Sequence, residues 1–141
     1  MKKKILILCT GNSCRSQMAH AFLQSFDENL IVRSSGTRIA KQVNPLAIKV
    51  MTEVGIDIST HKPTLLDNYI GESWDYVITV CGNAKETCPI FSGEVKNRLH
   101  LGFEDPSEAV GNEDFIMSEF RRIRDSIKET FYTFYIENIK D

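Results

Sequence analysis

The sequence predicts an α/β fold, a doubly wound sheet of parallel strands flanked by helices, in a single domain over residues 1–141. Residues 5–8 are wholly apolar, which suits a strand that is buried on both faces of a sheet. Strand-like segments alternate with segments whose apolar residues recur at helical spacing, as expected for a parallel sheet with helices packed on its faces. The predicted strands span residues 5–8, 29–34, 75–80 and 98–101.

The predicted helices span residues 16–26 and 45–54, a short segment at 65–69, and a C-terminal segment that starts near residue 113. Asn44 is a suitable N-cap, Pro45 suits the first turn, and Gly55 ends the second helix. Apolar residues three and four positions apart give the last helix a core-facing stripe. They are Phe120, Ile123, Ile127, Phe131 and Phe134.

Composition and charge exclude several classes of partner. The formal charge of −2 offers no basic face for nucleic acid. No apolar run reaches membrane-spanning length, and the lysines at residues 2–4 precede only four apolar residues, too few for an export signal. We therefore expect a cytoplasmic monomer whose 4 cysteines are reduced thiols. The 3 histidines have no metal-ligand spacing, so no metal site is expected.

Residues 9–16, Cys-Thr-Gly-Asn-Ser-Cys-Arg-Ser, connect the first predicted strand to the first helix. A tight turn that leads into a helix directs several backbone N–H groups into one hollow, which attracts anions. Gly11 permits the turn, and Asn12 tolerates the left-handed conformation. The predicted oxyanion-binding residues are Thr10, Gly11, Asn12, Ser13, Cys14 and Arg15.

Cys9 makes this predicted anion site chemically reactive. A free cysteine is only about three per cent thiolate at pH 7, but loop amides, the helix N-terminus and Arg15 all lower the thiol pKa. Ser16 can hydrogen-bond the thiolate, and Arg15 can contact two oxygens of a tetrahedral oxyanion at once. Cys9, Arg15 and Ser16 are therefore candidate catalytic residues. The alternative is an ordinary strand-to-helix turn with a buried cysteine.

The pattern Cys-x5-Arg-Ser resembles the phosphate loop of low-molecular-weight protein tyrosine phosphatases. Over residues 9–19 the match is more similar to the thioredoxin-coupled arsenate reductases that share the phosphatase fold. The resemblance continues at residues 44–45, 57–59, 81–89, 102–106 and 119–125, and so covers nearly the whole chain. It implies a four-stranded sheet of order 2-1-3-4. In that order Cys9, Cys81 and Asp105 follow strands that open onto one crevice.

The resemblance also implies a reaction sequence with arsenate as substrate and phosphate or sulfate as its mimics. Cys9 attacks arsenate while Asp105 protonates the departing oxygen. Cys81 then attacks the Cys9–arsenic adduct, and Cys88 carries the resulting disulfide outward to thioredoxin, the expected reductant. Cys14 has no part in this sequence and is either structural or a site of accidental oxidation.

Residues 81–88 are expected to change conformation during this cycle. A regular helix would hold the Cα atoms of Cys81 and Cys88 about 10.5 Å apart. A disulfide requires a separation of about 5.5 to 6 Å. Gly82, Asn83 and Pro89 make the segment a poor long helix, which suits such a change.

The chain departs from the family at a potassium site. Some members hold this ion beside the loop, partly through two carboxylates, at positions that here carry His20 and Thr64. Without those carboxylates a hard cation loses most of its attraction. We therefore expect no bound cofactor and no potassium dependence, with Asn12 held instead by His20, Ser34 or nearby backbone.

Two other functions stay open. The first is a phosphatase of the same fold that works through a phosphocysteine at Cys9, and even a reductase should show weak phosphatase activity because phosphate and arsenate share shape and charge. Asp105 and Pro106 match both families. Ser107 stands where phosphatases often carry an aromatic residue, which weighs modestly against this function. The second is a non-catalytic oxyanion or redox sensor that passes a disulfide to a partner.

Overall fold

The computed structural model of the chain describes residues 2–80 and 92–140. The described residues form a four-stranded parallel sheet with strand order β2-β1-β3-β4. This confirms the predicted fold class and the order 2-1-3-4. The strands are β1 (Lys4–Cys9), β2 (Ile31–Gly36), β3 (Trp74–Thr79) and β4 (Val95–His100).

Within the same ranges the α-helices are α1 (Arg15–Phe26), α2 (Pro45–Glu53) and α3 (Glu113–Asn138). Short 3-10 turns span Leu66–Asn68 and Pro106–Glu108. The predicted cap of α2 is confirmed, since the Asn44 side chain accepts a hydrogen bond of 2.8 Å from the N–H of Leu46. Gly55 follows the end of α2 with a φ of 82°, the left-handed conformation that glycine adopts without strain.

The boundaries of β2 and β4 differ most from the prediction, whereas those of β1 and β3 differ by one residue at each end. β4 begins at Val95, three residues before the predicted start at residue 98, because its side chains from Lys96 to His100 are exposed and leave no apolar signal. β2 begins at Ile31, two residues later than predicted. Leu30 is buried but belongs to a turn, in which its N–H donates to the carbonyl of Asp27.

The two faces of the sheet pack against different parts of the chain. Alternate residues of β1 point to opposite faces. Ile5 and Ile7 lie in the main core with α1 and α3, whereas Leu6 and Leu8 lie in a smaller core around Trp74. The stripe predicted for α3 is buried in the main core, as expected: Phe120, Ile123, Ile127, Phe131 and Phe134.

Strand register brings several loops to one edge of the sheet. Cys9 at the end of β1 is aligned with Gly36 of β2, and Leu8 is aligned with Thr79 of β3. The carboxyl ends of these parallel strands therefore meet. The strand order reverses between β1 and β3, and ligands of open α/β sheets bind beside such a point. The candidate site lies at this edge.

Across residues 2–80 and 92–140, no helix combines the length and the apolar character that crossing a membrane requires.

Candidate active site

The loop between β1 and α1 presents its N–H groups to one side. Its carbonyl groups accept hydrogen bonds from the segment that follows β2, at N···O distances of 2.8–3.3 Å. Each N–H of a trans peptide points opposite to the preceding carbonyl. The loop N–H groups therefore point away from that segment, at the positive end of α1, as an anion site requires. The pairs, carbonyl first, are Cys9 with Thr37, Thr10 with Arg38, Gly11 with Ala40, and Ser13 with Asn44.

Gly36 allows the loop to lie directly against the end of β2. A Cβ at this position would lie 2.4 Å from the carbonyl oxygen of Thr10 and 3.1 Å from the backbone nitrogen of Asn12. Both contacts are with backbone atoms, so a side chain could be accommodated only by moving the loop. The sequence gives no sign of this role for Gly36, because nothing in the local pattern reveals a contact with a distant loop.

Asn12 adopts the predicted left-handed conformation, with a φ of 52°, and is fully buried. Its side-chain oxygen accepts a hydrogen bond of 2.8 Å from the backbone N–H of Thr64, so one expected class of partner, nearby backbone, is confirmed. The other two expected partners contact each other instead, since His20 Nδ1 lies 2.9 Å from Ser34 Oγ.

Gln17 is a residue of the site that the sequence analysis missed. Its side-chain nitrogen lies 3.1 Å from the backbone oxygen of Asn12 and 3.2 Å from the side-chain oxygen of the same residue. It is 1% exposed, on the first turn of α1. A single glutamine in a helix carries no spacing signal, so its contact with the loop appears only in three dimensions.

Arg15 and Asp105 form an ion pair beside the loop of residues 9–16. Arg15 Nη2 lies 3.5 Å from Asp105 Oδ2, and Arg15 Nη1 donates to the carbonyl of Phe103 at 3.1 Å. The other oxygen of Asp105, Oδ1, accepts hydrogen bonds from the backbone N–H of Ser107 at 3.0 Å and from its hydroxyl at 2.7 Å. Ser107 therefore orients the Asp105 carboxylate. Its position in the sequence did not indicate this role.

The loop carries two cysteines, Cys9 at the end of β1 and Cys14 next to the start of α1. Both thiols are buried. Burial, with a smaller contribution from the negative charge of Asp105, raises the pKa of Cys14 to about 12, and the opposing charge of Arg15 does not offset this. Cys14 therefore stays a neutral thiol near pH 7 and is a poor nucleophile. This agrees with a structural role for Cys14.

A family model described as low molecular weight phosphotyrosine protein phosphatase matches residues 4–141. The chain belongs to this family. A Staphylococcus xylosus member named arsenate reductase is 46% identical over 140 residues, which cover 99% of this chain and 97% of that protein.

Solved structures of family members agree with the fold. An arsenate reductase in its oxidized state superposes with a TM-score of 0.81 at 30% identity, covering 96% of this chain and 98% of that one. An arsenate reductase in a phosphate binding state gives a TM-score of 0.78 at 31% identity, with the same coverage.

Two histidine side chains, His20 of α1 and His61, lie next to each other. The rings of His20 and His61 have centroids 5.3 Å apart. Burial, then the neighbouring His61 and then Arg33 lower the pKa of His20 to about 4, so it is neutral at pH 7. Burial also lowers the pKa of His61. In the described part of the chain, no group of three or more His, Cys, Asp or Glu side chains could hold a metal ion.

Cys81 and Cys88 lie outside the described residues, so their predicted roles stay predictions. The structure does place the residue that precedes them. The N–H of Val80 donates to the carbonyl of Leu8 at 3.0 Å, and the carbonyl of Val80 accepts from the N–H of Phe103 at 2.9 Å. Val80 thus lies between the residue before Cys9 and the loop that carries Asp105.

Proposed function

We propose that this protein reduces arsenate to arsenite with Cys9 as the nucleophile and thioredoxin as the reductant. The observation that carries the proposal is the orientation of the phosphate loop, in which the carbonyls of Cys9, Thr10, Gly11 and Ser13 accept hydrogen bonds from the segment that follows β2. Cys9 stands at the start of this loop, and Arg15 and Asp105 face each other beside it. The match to relatives named arsenate reductase over nearly the whole chain supports arsenate as the substrate.

Substrate binding follows from the donors of the loop. Arsenate is a tetrahedral anion, and backbone N–H groups at a helix N-terminus hold such an anion without a large reorganisation. The planar guanidinium of Arg15 donates to two oxygens together. A related arsenate reductase has been solved in a phosphate binding state, which supports phosphate as a mimic of the substrate.

The first chemical step joins sulfur to arsenic. The Cys9 thiolate attacks arsenic, and one oxygen leaves as water after taking a proton from Asp105. The Ser16 hydroxyl donates a hydrogen bond to the Cys9 sulfur and stabilises the thiolate before the attack. Asp105 is held for this role by Ser107 on one oxygen and by Arg15 on the other.

The electrons come from the cysteines. The Cys81 thiolate attacks the Cys9 sulfur, so that a disulfide forms and the sulfur–arsenic bond breaks with its electron pair on arsenic, which leaves as arsenite. The Cys88 thiolate next attacks Cys81 and releases Cys9 as a thiolate. Two electrons from thioredoxin then reduce the Cys81–Cys88 disulfide. Such a cycle needs a reducing compartment, which supports a cytoplasmic location.

No cation is needed in this proposal. Asn12 is held by the backbone N–H of Thr64 and by the side chains of Gln17 and Ser16. His20 is a neutral imidazole at pH 7 and pairs with Ser34, so neither it nor Thr64 supplies a carboxylate for a hard cation. We therefore include independence from potassium in the proposal.

The test measures arsenate-dependent NADPH oxidation with thioredoxin and thioredoxin reductase. Wild type should turn over many times, and Cys9→Ser should be inactive. Cys88→Ser should release about one arsenite per enzyme and then stop, because its Cys9–Cys81 disulfide is not carried outward. Cys81→Ser should release none. Hydrolysis of an aryl phosphate serves as the control, since it should survive in Cys81→Ser and Cys88→Ser but not in Cys9→Ser.

Sustained arsenate turnover by Cys81→Ser would overturn the three-cysteine relay. If the wild-type protein hydrolysed the aryl phosphate at a high rate but did not reduce arsenate, the protein would be a phosphatase. One disulfide formed per molecule, with no further turnover in the complete thioredoxin system, would indicate a sensor.

A further inference from the structure

Phe103 connects the guanidinium of Arg15 to the hydrophobic core. Its backbone carbonyl accepts a hydrogen bond of 3.1 Å from Arg15 Nη1. Its ring stacks on the ring of Phe131 in α3, with centroids 6.3 Å apart and planes inclined by 27°. Phe131 is fully buried in the main core. The carbonyl that holds Arg15 is therefore attached to a residue whose ring the core keeps in place.

The stacked ring fixes a dihedral angle that the backbone contacts leave free. The N–H of Phe103 donates to the carbonyl of Val80 at 2.9 Å, which fixes the peptide before Phe103. The carbonyl of Phe103 belongs to the next peptide, and φ and ψ separate the two. Rotation about φ would move the Cβ atom, and the ring with it. The stack on Phe131 therefore opposes this rotation and sets the direction of the carbonyl.

A second contact joins the same loop to α3, but it is the weaker of the two. Glu104 Oε2 lies 2.6 Å from Arg122 Nη2, and these side chains are 74% and 50% exposed. Arg122 also pairs with Glu119 at 3.0 Å, so it keeps a partner if Glu104 moves away. Exposed ion pairs contribute little, because water and salt compete with them. The aromatic stack, in which one ring is fully buried, is therefore the main anchor of the loop.

We propose that Phe103 is a positioning residue for Arg15 in oxyanion binding. The inference rests on the proposed role of Arg15 as a ligand of the oxyanion. A long arginine side chain loses rotational freedom when it binds an anion. The hydrogen bond to the Phe103 carbonyl restricts the side chain before the anion arrives, so binding costs less ordering and affinity rises.

Arg15 keeps donors for the anion while it is held in this way. A guanidinium carries more N–H groups than the contacts with Phe103 and Asp105 use. The Arg15 side chain is 13% exposed, so little water competes for its hydrogen bond with the carbonyl. A loss of the stack should therefore appear directly in the affinity for an oxyanion.

The test is the dissociation constant for inorganic phosphate, measured by isothermal titration calorimetry at pH 7 and constant ionic strength. Phe103→Leu removes the ring but keeps an apolar side chain. Its dissociation constant should rise at least about fivefold, because apparent affinity falls with the fraction of molecules in which Arg15 is in place. Phe103→Tyr keeps the stack and should bind phosphate within about twofold of the wild type.

Tyr76→Leu is the matched control. The ring of Tyr76 is half-buried and contacts Phe134 of α3 edge to face, at a centroid distance of 5.1 Å. The variant should lower the melting temperature about as much as Phe103→Leu does, yet leave the dissociation constant unchanged. Arg122→Met, which removes the exposed ion pair, should leave it unchanged as well.

A double-mutant cycle separates the positioning of Arg15 from a general disturbance of the loop. Arg15→Lys removes the planar guanidinium. In that background Phe103→Leu should weaken phosphate binding by less than about twofold, because the group that it positions is absent. A further loss of about fivefold there would overturn the inference, since Phe103 would then act on another group.

An unchanged dissociation constant in Phe103→Leu would also overturn the inference. Equal weakening by Tyr76→Leu or by Phe103→Tyr would do the same, because lost stability or a changed side chain would then explain the effect. If the wild type bound no phosphate, the oxyanion site itself would be wrong, and this inference with it. The assay uses neither arsenate nor thioredoxin, so failure of the reductase assay alone would leave its result standing.

Discussion

Gly36 lies against the carbonyl of Thr10 so closely that a methyl group on its Cα would be 2.4 Å from the carbonyl oxygen. The contact joins the end of β2 to the phosphate loop, and Cys9 is aligned with Gly36 in the sheet register. The N–H of Gly36 donates to the carbonyl of Thr64 at 2.9 Å, so β2 is also fixed from its other side. Neither β2 nor the phosphate loop can move without breaking one of these contacts, so the position of the loop depends on Gly36.

Gly36→Ala should therefore displace the phosphate loop and impair catalysis. A displacement of about 1 Å at a catalytic group costs about a hundredfold in rate, and we expect a loss of that order in kcat/KM for arsenate. The measurement is steady-state kinetics in the thioredoxin-coupled assay, with circular dichroism to verify folding.

Gly71→Ala is the matched control for this substitution. A Cβ at Gly71 would meet only Ser92 Oγ at 3.5 Å, an ordinary contact with a side chain. Its kinetics should equal those of the wild type. If Gly36→Ala retained full activity, the phosphate loop would not depend on this close approach.

The fold and the reactive loop could be predicted because their signals are local. β1 contains the apolar run Ile5–Leu8, β3 is rich in aromatic and β-branched residues, and the loop from Cys9 to Ser16 is continuous in sequence. The contacts that hold the loop are not local: Thr64 reaches Asn12 across 52 positions, and Gly36 reaches Thr10 from another strand. β4 was predicted too short because its exposed side chains carry no apolar pattern.

The Asp105 carboxylate should be sensitive to the residue that orients it. Asp105→Asn removes the acidic proton and should lower kcat by about a hundredfold or more, as general acids commonly contribute that much. Ser107→Ala removes the hydroxyl contact of 2.7 Å but leaves the backbone N–H contact of 3.0 Å on the same oxygen. Its loss in kcat should be smaller, within about tenfold, with KM little changed.

Ser118→Ala is the control for the Ser107 substitution, since Ser118 is an exposed serine whose hydroxyl donates to the carbonyl of Phe115 in α3. It should have wild-type kinetics. A Ser107→Ala loss as large as that of Asp105→Asn would mean that Ser107 itself takes part in the chemistry rather than orienting the acid.

His20 should make stability fall as the solution becomes acidic. Its folded-state pKa of about 4 lies below the ordinary value of 6.5, because the buried ring resists protonation. Between these two pH values the unfolded chain binds the proton and the folded chain does not, so stability is lost as pH falls from 6.5 to 4. The loss approaches about 3 kcal/mol below pH 4, as an order of magnitude.

The check compares urea unfolding of wild type and His20→Gln at pH 7 and pH 4.5. Glutamine can keep a polar contact with Ser34 but does not titrate. The stability of the wild type should fall more than that of the variant over this interval. Parallel losses in the two proteins would show that His20 does not govern the acid sensitivity.

Potassium should not affect the wild-type protein, because residues 20 and 64 carry an imidazole and a hydroxyl instead of carboxylates. Turnover and melting temperature should be equal in potassium and sodium chloride at the same ionic strength. The double variant His20→Glu with Thr64→Asp supplies two carboxylate groups, the ligands that hard cations prefer. Its melting temperature should rise with potassium concentration, by the linkage of binding to folding.

The isosteric double variant His20→Gln with Thr64→Asn is the control for this last experiment. It changes the same two positions without adding charge, and its melting temperature should not respond to potassium. Stimulation of wild-type turnover by potassium but not sodium would contradict the prediction, because a cation would then be bound without the two carboxylates. Such a result would also show that the hydrogen bonds from Thr64 and Gln17 are not sufficient to hold Asn12 for catalysis.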